Sequence, residues 1–312
     1  MRIDIRAGGA PCGAMTRKDH MDLFGATALI AFALHLAFNQ VVIKVTSGGF
    51  GPVYAAGLRS AGAVAVLLIW MRLRGISLHI PRAAWPGGIM AGVLFAAEFF
   101  CLFQALDLGA VSRSSVIFYT MPVWLALVAH FVLPGEQLTR ARLLGLVLAM
   151  GGVALALLDR DSLGVNWTSD LLALAAAVMW AGIVLCLRLT ALSEIEPSQQ
   201  LLMQVLVSAP ILLVLSLFMG DFIRDLAPIH VAGLVFQTVA VASLGFMVWF
   251  WLMKQYPASS VASFSFLSPV FSVILGWLLL SEEVALSVWV ALVLVASGIY
   301  LINRKPRVAE AD

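Results

Sequence analysis

Apolar residues run along this chain in long stretches, and polar or turn-rich residues fill only the short intervals between them. The stretches lie at roughly 22–44, 52–71, 84–106, 110–132, 140–158, 168–189, 198–219, 228–253, 258–280 and 285–303. Each is close to the ~20 residues that a helix needs to cross the hydrocarbon core of a bilayer. The pattern predicts an all-α integral membrane protein with ten transmembrane helices. The run after Asp22 continues to Ile43, longer than the core of a signal peptide, and is expected to be a retained first span. Residues 1–21 and 304–312 read as polar tails, with Met15 and Met21 as alternative starts.

Composition strengthens this picture. Hydrophobic residues make up 62% of the chain and charged residues 12%, with a mean hydropathy of +1.01. Soluble domains are about half apolar and a quarter charged, so no aqueous catalytic domain fits between these runs and the chain is not expected to be an enzyme. Cys12, Cys101 and Cys186 are an odd, scattered set that suits neither a disulfide framework nor a zinc site. No G-x-x-x-x-G-K-[ST] loop, no Ser/His/Asp set and no basic aromatic surface is present. The expected partners are a small-molecule solute and membrane lipid; no nucleic acid and no cofactor are expected.

Charge placement sets the predicted orientation. With a cytoplasmic N-terminus, the inside segments collect Arg2, Arg6, Arg17, Lys18, Arg72, Arg74, Arg82, Arg140, Arg142, Arg188, Lys254, Arg304, Lys305 and Arg307. The outside ends collect only Lys44, Arg113, Arg160 and Arg224, and Arg59 falls within a span. Lys and Arg accumulate on the cytoplasmic side of membrane proteins. Both termini are therefore expected in the cytoplasm, and the protein in a bacterial inner membrane.

An internal repeat explains why the number of spans is ten. Residues 105–158 laid over 252–305 pair Ser112 with Ser259, Pro122 with Pro269, Glu136 with Glu283 and Gly151 with Gly298, at a constant offset of 147. The starts of the halves agree more loosely, through Lys44 with Arg188 and Pro52 with Pro197. Each half, 22–158 and 168–303, holds five spans. Five is odd, so the second copy is expected to be inverted in the membrane, around a central cavity. Inverted repeats are a common construction of secondary transporters; the alternative is a duplicated scaffold or membrane-embedded enzyme.

Several stretches resemble the EamA-type transporters of the drug/metabolite transporter superfamily. They are Asn39-Gln40-Val41-Val42-Ile43-Lys44, Leu58-Arg59, Ala105-Leu106 before Ser112, and Pro122 with Glu136 fourteen residues on, repeated as Pro269 and Glu283. Where the family often has a Trp in mid-span one, this chain has Leu36, although the second half keeps Trp180. The resemblance implies a ten-helix inverted-repeat fold and export of amino acids or related metabolites. Among its branches the chain looks most like the amino-acid exporters of the YddG type.

Polar residues inside the spans are the candidate site, because charges within a bilayer are costly and generally face a cavity or a partner. Arg59 and Glu98 fall at matched depths, roughly 11–12 Å from the outer ends of spans two and three. They suit either a structural ion pair or a receptor for the carboxylate and ammonium of a zwitterion. His35 and Asn39 share a face of span one at i, i+4, as interhelical hydrogen-bonding groups or cavity lining. With an intrinsic pKa near 6.5, His35 is also the candidate for proton coupling. Ser112, Ser115 and Tyr119 form a stripe on span four, and Ser259, Ser263 and Phe266 form its counterpart on span nine. Such stripes serve close helix packing or face a shared axis. Pro122 and Pro269 each free the carbonyl four residues back, at Phe118 and Ser265, so kinks that act as hinges are expected there. Trp180 is the deep aromatic expected to line the cavity, and the Gly151-Gly152 pair is expected to serve close helix packing.

Together these features predict a secondary transporter that exports small metabolites, foremost amino acids, aromatic and neutral ones included. A drug or nucleotide-precursor exporter of the same fold is the alternative.

Overall fold

The computed structural model describes residues 22–132, 139–158, 166–256 and 264–303. Its helices are α1 (Leu23–Thr46), α2 (Pro52–Leu73), α3 (Trp85–Leu108), α4 (Val111–Phe118), α5 (Met121–Val132) and α6 (Arg140–Leu158) in the first half. The second half holds α7 (Trp167–Leu189), α8 (Pro197–Ser216), α9 (Pro228–Phe236), α10 (Phe246–Gln255), α11 (Leu267–Leu280) and α12 (Leu286–Asn303). Among the described residues, nine helical segments are long and apolar enough to cross a membrane, and Phe264–Leu280 adds a shorter one. The protein is an all-α, ten-span membrane protein in two inverted halves. Ser259, Ser263, Glu136 and both tails lie outside the described residues.

Local chemistry sets where the helices start. Asp22 Oδ1 accepts the Gly25 N–H at 2.7 Å, and Asn166 Oδ1 accepts those of Thr168 and Ser169. Pro52, Pro197 and Pro228 occupy first helical positions, where the missing N–H would have had no helical partner anyway.

Two spans depart from a continuous α-helix. Span four breaks at Tyr119–Thr120, between α4 and α5, with Thr120 Oγ1 donating to the Ile117 carbonyl at 2.6 Å. In span nine a 3₁₀ turn, Phe264–Phe266, gives way to α11 at Leu267. The Phe266–Leu267 junction stands 147 residues beyond Tyr119–Thr120, so each break lies just ahead of its proline. Span eight carries a longer irregularity, the π-helical segment Gln237–Gly245 between α9 and α10. Nothing in the apolar pattern marked it, because π and α turns bury similar stripes.

The inversion is visible in how the loops pair. At the end of the bundle away from the chain termini, here the distal end, Phe50 bridges to Ile223, with Gly51 N–H donating to Phe222 O and Arg224 N–H to Gly49 O. This joins the first loop of half one to the second loop of half two. At the terminal end Gln199, which opens span seven, donates to the carbonyls of Ser77 and His79 in the second loop of half one.

Helices α6 and α12 cross through glycine. A Cβ on Gly298 would stand 2.5 Å from the Gly145 carbonyl oxygen, and one on Gly152 would stand 2.8 Å from that of Ala291. These two contacts exchange under a step of 146 (298 less 152, and 291 less 145), one residue shorter than the 147 that relates spans four and nine. The repeat therefore slips by one between those spans and the last pair. Gly151, expected to pack closely, meets nothing within 4 Å; only its neighbour Gly152 lies in the crossing. Outward-facing side chains such as Val147 and Val293 stay 60% and 64% exposed, the surface that lipid tails cover.

Replacing Gly298 by Ala should force α6 and α12 apart and destabilise the protein by about 1–3 kcal/mol, seen as a lower melting temperature in detergent. Gly151→Ala should leave it unchanged or slightly raised. Equal melting of the two variants would refute the glycine crossing.

Candidate functional site

Three polar groupings lie inside the bundle, and residues of both halves build the first and the third. The first gathers Gln40 of α1, Ser115 of α4, Tyr119 just beyond it, and Ser268 and Ser272 of α11. These five are buried, as is Asn39, next to Gln40 in sequence. Gln40, Ser268 and Ser272 stand around the Tyr119 hydroxyl. Asn39 Oδ1, Gln40 Oε1 and Ser115 Oγ make no direct hydrogen bond among the described residues. A buried polar atom left unpaired costs about 1–3 kcal/mol, so a polar partner at these atoms would be stabilising.

The second is Arg59 on α2 with Glu98 on α3. Both are buried and electrostatically coupled, but no direct ion pair joins them among the described residues. The guanidinium instead lies over the Phe99 ring at 4.0 Å, with Phe103 at 5.7 Å, and its Nη1 makes no hydrogen bond among the described residues. A guanidinium stacked on an aromatic face keeps its charge attractive to the ring and leaves an N–H edge for another acceptor.

The third centres on His35. Its Nε2 lies 3.2 Å from the Ala240 carbonyl oxygen, inside the π-helical segment. A carbonyl can only accept, so Nε2 carries the proton. Gly245 makes room for this contact: a Cβ there would stand 3.1 Å from Ala240 O and 3.6 Å from His35 Nε2. His35 also lines a cleft of about 460 Å³ with Ala31, Leu34, Phe38, Phe236, Leu275 and Leu279. Apart from His35 its walls are apolar. Asn39, one turn on along α1, is buried but does not line this cleft.

Ser263 lies outside the described residues. Trp180 is half-buried on α7, and its indole N–H makes no hydrogen bond among the described residues. Gln40, Ser268 and Ser272 were not singled out from the sequence as site residues. The repeat directed attention to symmetric stripes, whereas Ser268 and Ser272 answer Met121 and Leu125 in the first half.

The distal end carries several matched charges. Arg113 forms a buried bidentate pair with Asp170 at 2.8 Å, and Ser114 meets Ser169 at 3.1 Å. Lys44 Nζ donates to the carbonyls of Asp107 and Gly109 at 2.9 Å each. Arg224 donates to both Asp107 carboxylate oxygens, at 2.7 and 3.0 Å. That hydrogen-bonded carboxylate raises the Arg224 pKa above its ordinary value, outweighing partial burial.

The model of the EamA-like transporter family matches residues 23–158 and again 167–304. The chain belongs to the EamA-like transporter family. Each match takes in five of the spans described above. Similar proteins include the "Uncharacterized transporter YvbV" of Bacillus subtilis (strain 168), 28% identical over 91% of this chain and 93% of that protein. Another is the "Probable amino-acid metabolite efflux pump" of Escherichia coli (strain K12), 26% identical over 92% and 95% respectively. A solved structure titled "Crystal structure of protein" superposes with a TM-score of 0.64 at 20% identity, over 88% of this chain and 96% of that one, a likeness of fold. This EamA-like chain is a multi-pass membrane transporter of the drug/metabolite transporter superfamily.

Replacing His35 by Leu should release the π-helical segment, and amides across 237–245 should exchange with deuterium about fivefold faster, equivalent to ~1 kcal/mol for one hydrogen bond. Gly245→Ala should act in the same direction. Unchanged exchange in both would refute His35 as the pin of that segment.

Proposed function

We propose that the protein exports small metabolites, foremost amino acids, across the bacterial inner membrane by alternating access, with both termini in the cytoplasm. The observation that carries this reading is a set of buried polar atoms that make no hydrogen bond among the described residues: Arg59 Nη1, Asn39 Oδ1, Gln40 Oε1 and Ser115 Oγ. In a bilayer no bulk water is at hand to satisfy such atoms, so their retention argues for a solute that does. Arg59 offers donors suited to a carboxylate. Glu98 and the amide oxygens of Asn39 and Gln40 offer acceptors suited to an ammonium group. A zwitterion meets both needs. The E. coli relative named as an amino-acid metabolite efflux pump supports the same substrate class.

In this reading His35, Asn39, Arg59, Glu98, Ser115, Tyr119, Trp180 and Ser263 contact the solute. Pro122 and Pro269, each beside a break in its span, serve as hinges. The apolar cleft beside His35 favours a second reading, export of a more hydrophobic, drug-like compound.

Uptake of a panel of labelled amino acids into proteoliposomes, with and without a proton gradient, tests the substrate class. Glu98→Gln and Arg59→Gln should each reduce transport at least tenfold, and an unchanged rate in either would remove it from the site. Replacing Pro122 and Pro269 together by Ala should slow exchange between states. Equal accessibility of engineered cysteines in this variant and the parent would count against the hinges.

A further inference from the structure

Helix α4 begins without a cap of its own. Its N-cap residue is Ala110, which makes no side-chain hydrogen bond to the helix. The first N–H groups of any helix lack helical partners, and here they are satisfied from the other half. Glu282 reaches across from the turn after α11, accepting Val111 N–H on Oε1 at 2.6 Å and Ser112 N–H on Oε2 at 2.8 Å. A carboxylate on the positive end of a helix is favoured by the dipole. Its two charge-assisted bonds are short and strong.

Three features of the second half build this reach. Ser281 adopts a left-handed conformation (φ 53°), which costs roughly 1–2 kcal/mol in a residue with a Cβ. The N–H groups of Ser281 and Glu282 both turn back onto the Gly276 carbonyl, which aims the carboxylate along the helix. Gly276 then leaves the space it occupies: a Cβ there would stand 2.7 Å from Glu282 Oε2 and 3.3 Å from Ser112 N. Lys44 lies close enough to couple electrostatically to Glu282. Exposed Glu283, one residue on, takes no part in these contacts.

We propose that Glu282 is the latch of the distal gate: seated on the N-terminus of α4 it holds the halves together at that end, and the distal path opens when the carboxylate leaves. The proposal rests on the alternating-access reading, and it assigns the mechanical work of one gate to one side chain. α4 is also the helix that carries Ser115 and leads to Tyr119. Release of its first turn therefore frees the same element that presents the polar group to the solute.

Spin labels at Leu108→Cys and Leu286→Cys, with Cys12, Cys101 and Cys186 replaced by Ala, flank the latch from the two halves. Their distance distribution in lipid nanodiscs reads the gate without any solute. The parent should show one dominant short distance. Glu282→Gln, and independently Gly276→Ala, which crowds the carboxylate off its seat without altering charge, should each raise the long-distance population about tenfold. Glu283→Gln should leave the distribution as in the parent. A parent that already populates mainly the long distance, or unchanged distributions in the folded variants, would overturn the latch. Because the parent measurement alone can do so, the test survives a variant that does not fold. Failure of every amino acid to be transported would instead strike the substrate reading and leave the distances to decide the gate.

Discussion

A bilayer interior offers no bulk water to satisfy a polar group, and this one constraint orders the whole molecule. Every spanning segment must close its backbone hydrogen bonds on itself, which makes the fold all-α. Side chains such as Val147 and Val293 face outward, and polarity retreats to the seam between the halves and to the two ends. Where the backbone does depart from an α-helix, it does so next to polar groups. The break at Tyr119–Thr120 adjoins the Ser115 and Tyr119 hydroxyls, and the π-helical segment lends the Ala240 carbonyl to His35.

The ends and the middle of the bundle use polarity differently. At the distal end charges are matched: Arg113 with Asp170, Arg224 with Asp107, Lys44 with the last carbonyls of α3, and Glu282 with the first N–H groups of α4. In the middle Arg59 and Glu98 are coupled without a direct ion pair among the described residues, and Arg59 is backed by an aromatic ring.

The halves share a fold but not a site. Ser268 and Ser272 stand where the first half has Met121 and Leu125, and the π-helical segment of span eight answers a regular stretch of α3. Duplication supplies the scaffold, and substitutions near the axis break its symmetry where chemistry is needed.

The chain by itself determined the number of spans, the two opposed halves, and the positions of the breaks ahead of Pro122 and Pro269. Those features follow from local quantities: apolar run length, the parity of five, and a missing N–H. It also brought Arg59, Glu98, His35 and Asn39 forward, since a polar residue within an apolar run stands out without reference to any neighbour. Only the tertiary structure decided what each of them meets. Arg59 stacks on Phe99 instead of pairing directly with Glu98, His35 meets the Ala240 carbonyl, and Glu282 crosses to the other half. Each of those outcomes depends on contacts between residues from about 40 to more than 200 positions apart, or on a one-residue slip between repeats, which no linear pattern of polar and apolar residues encodes.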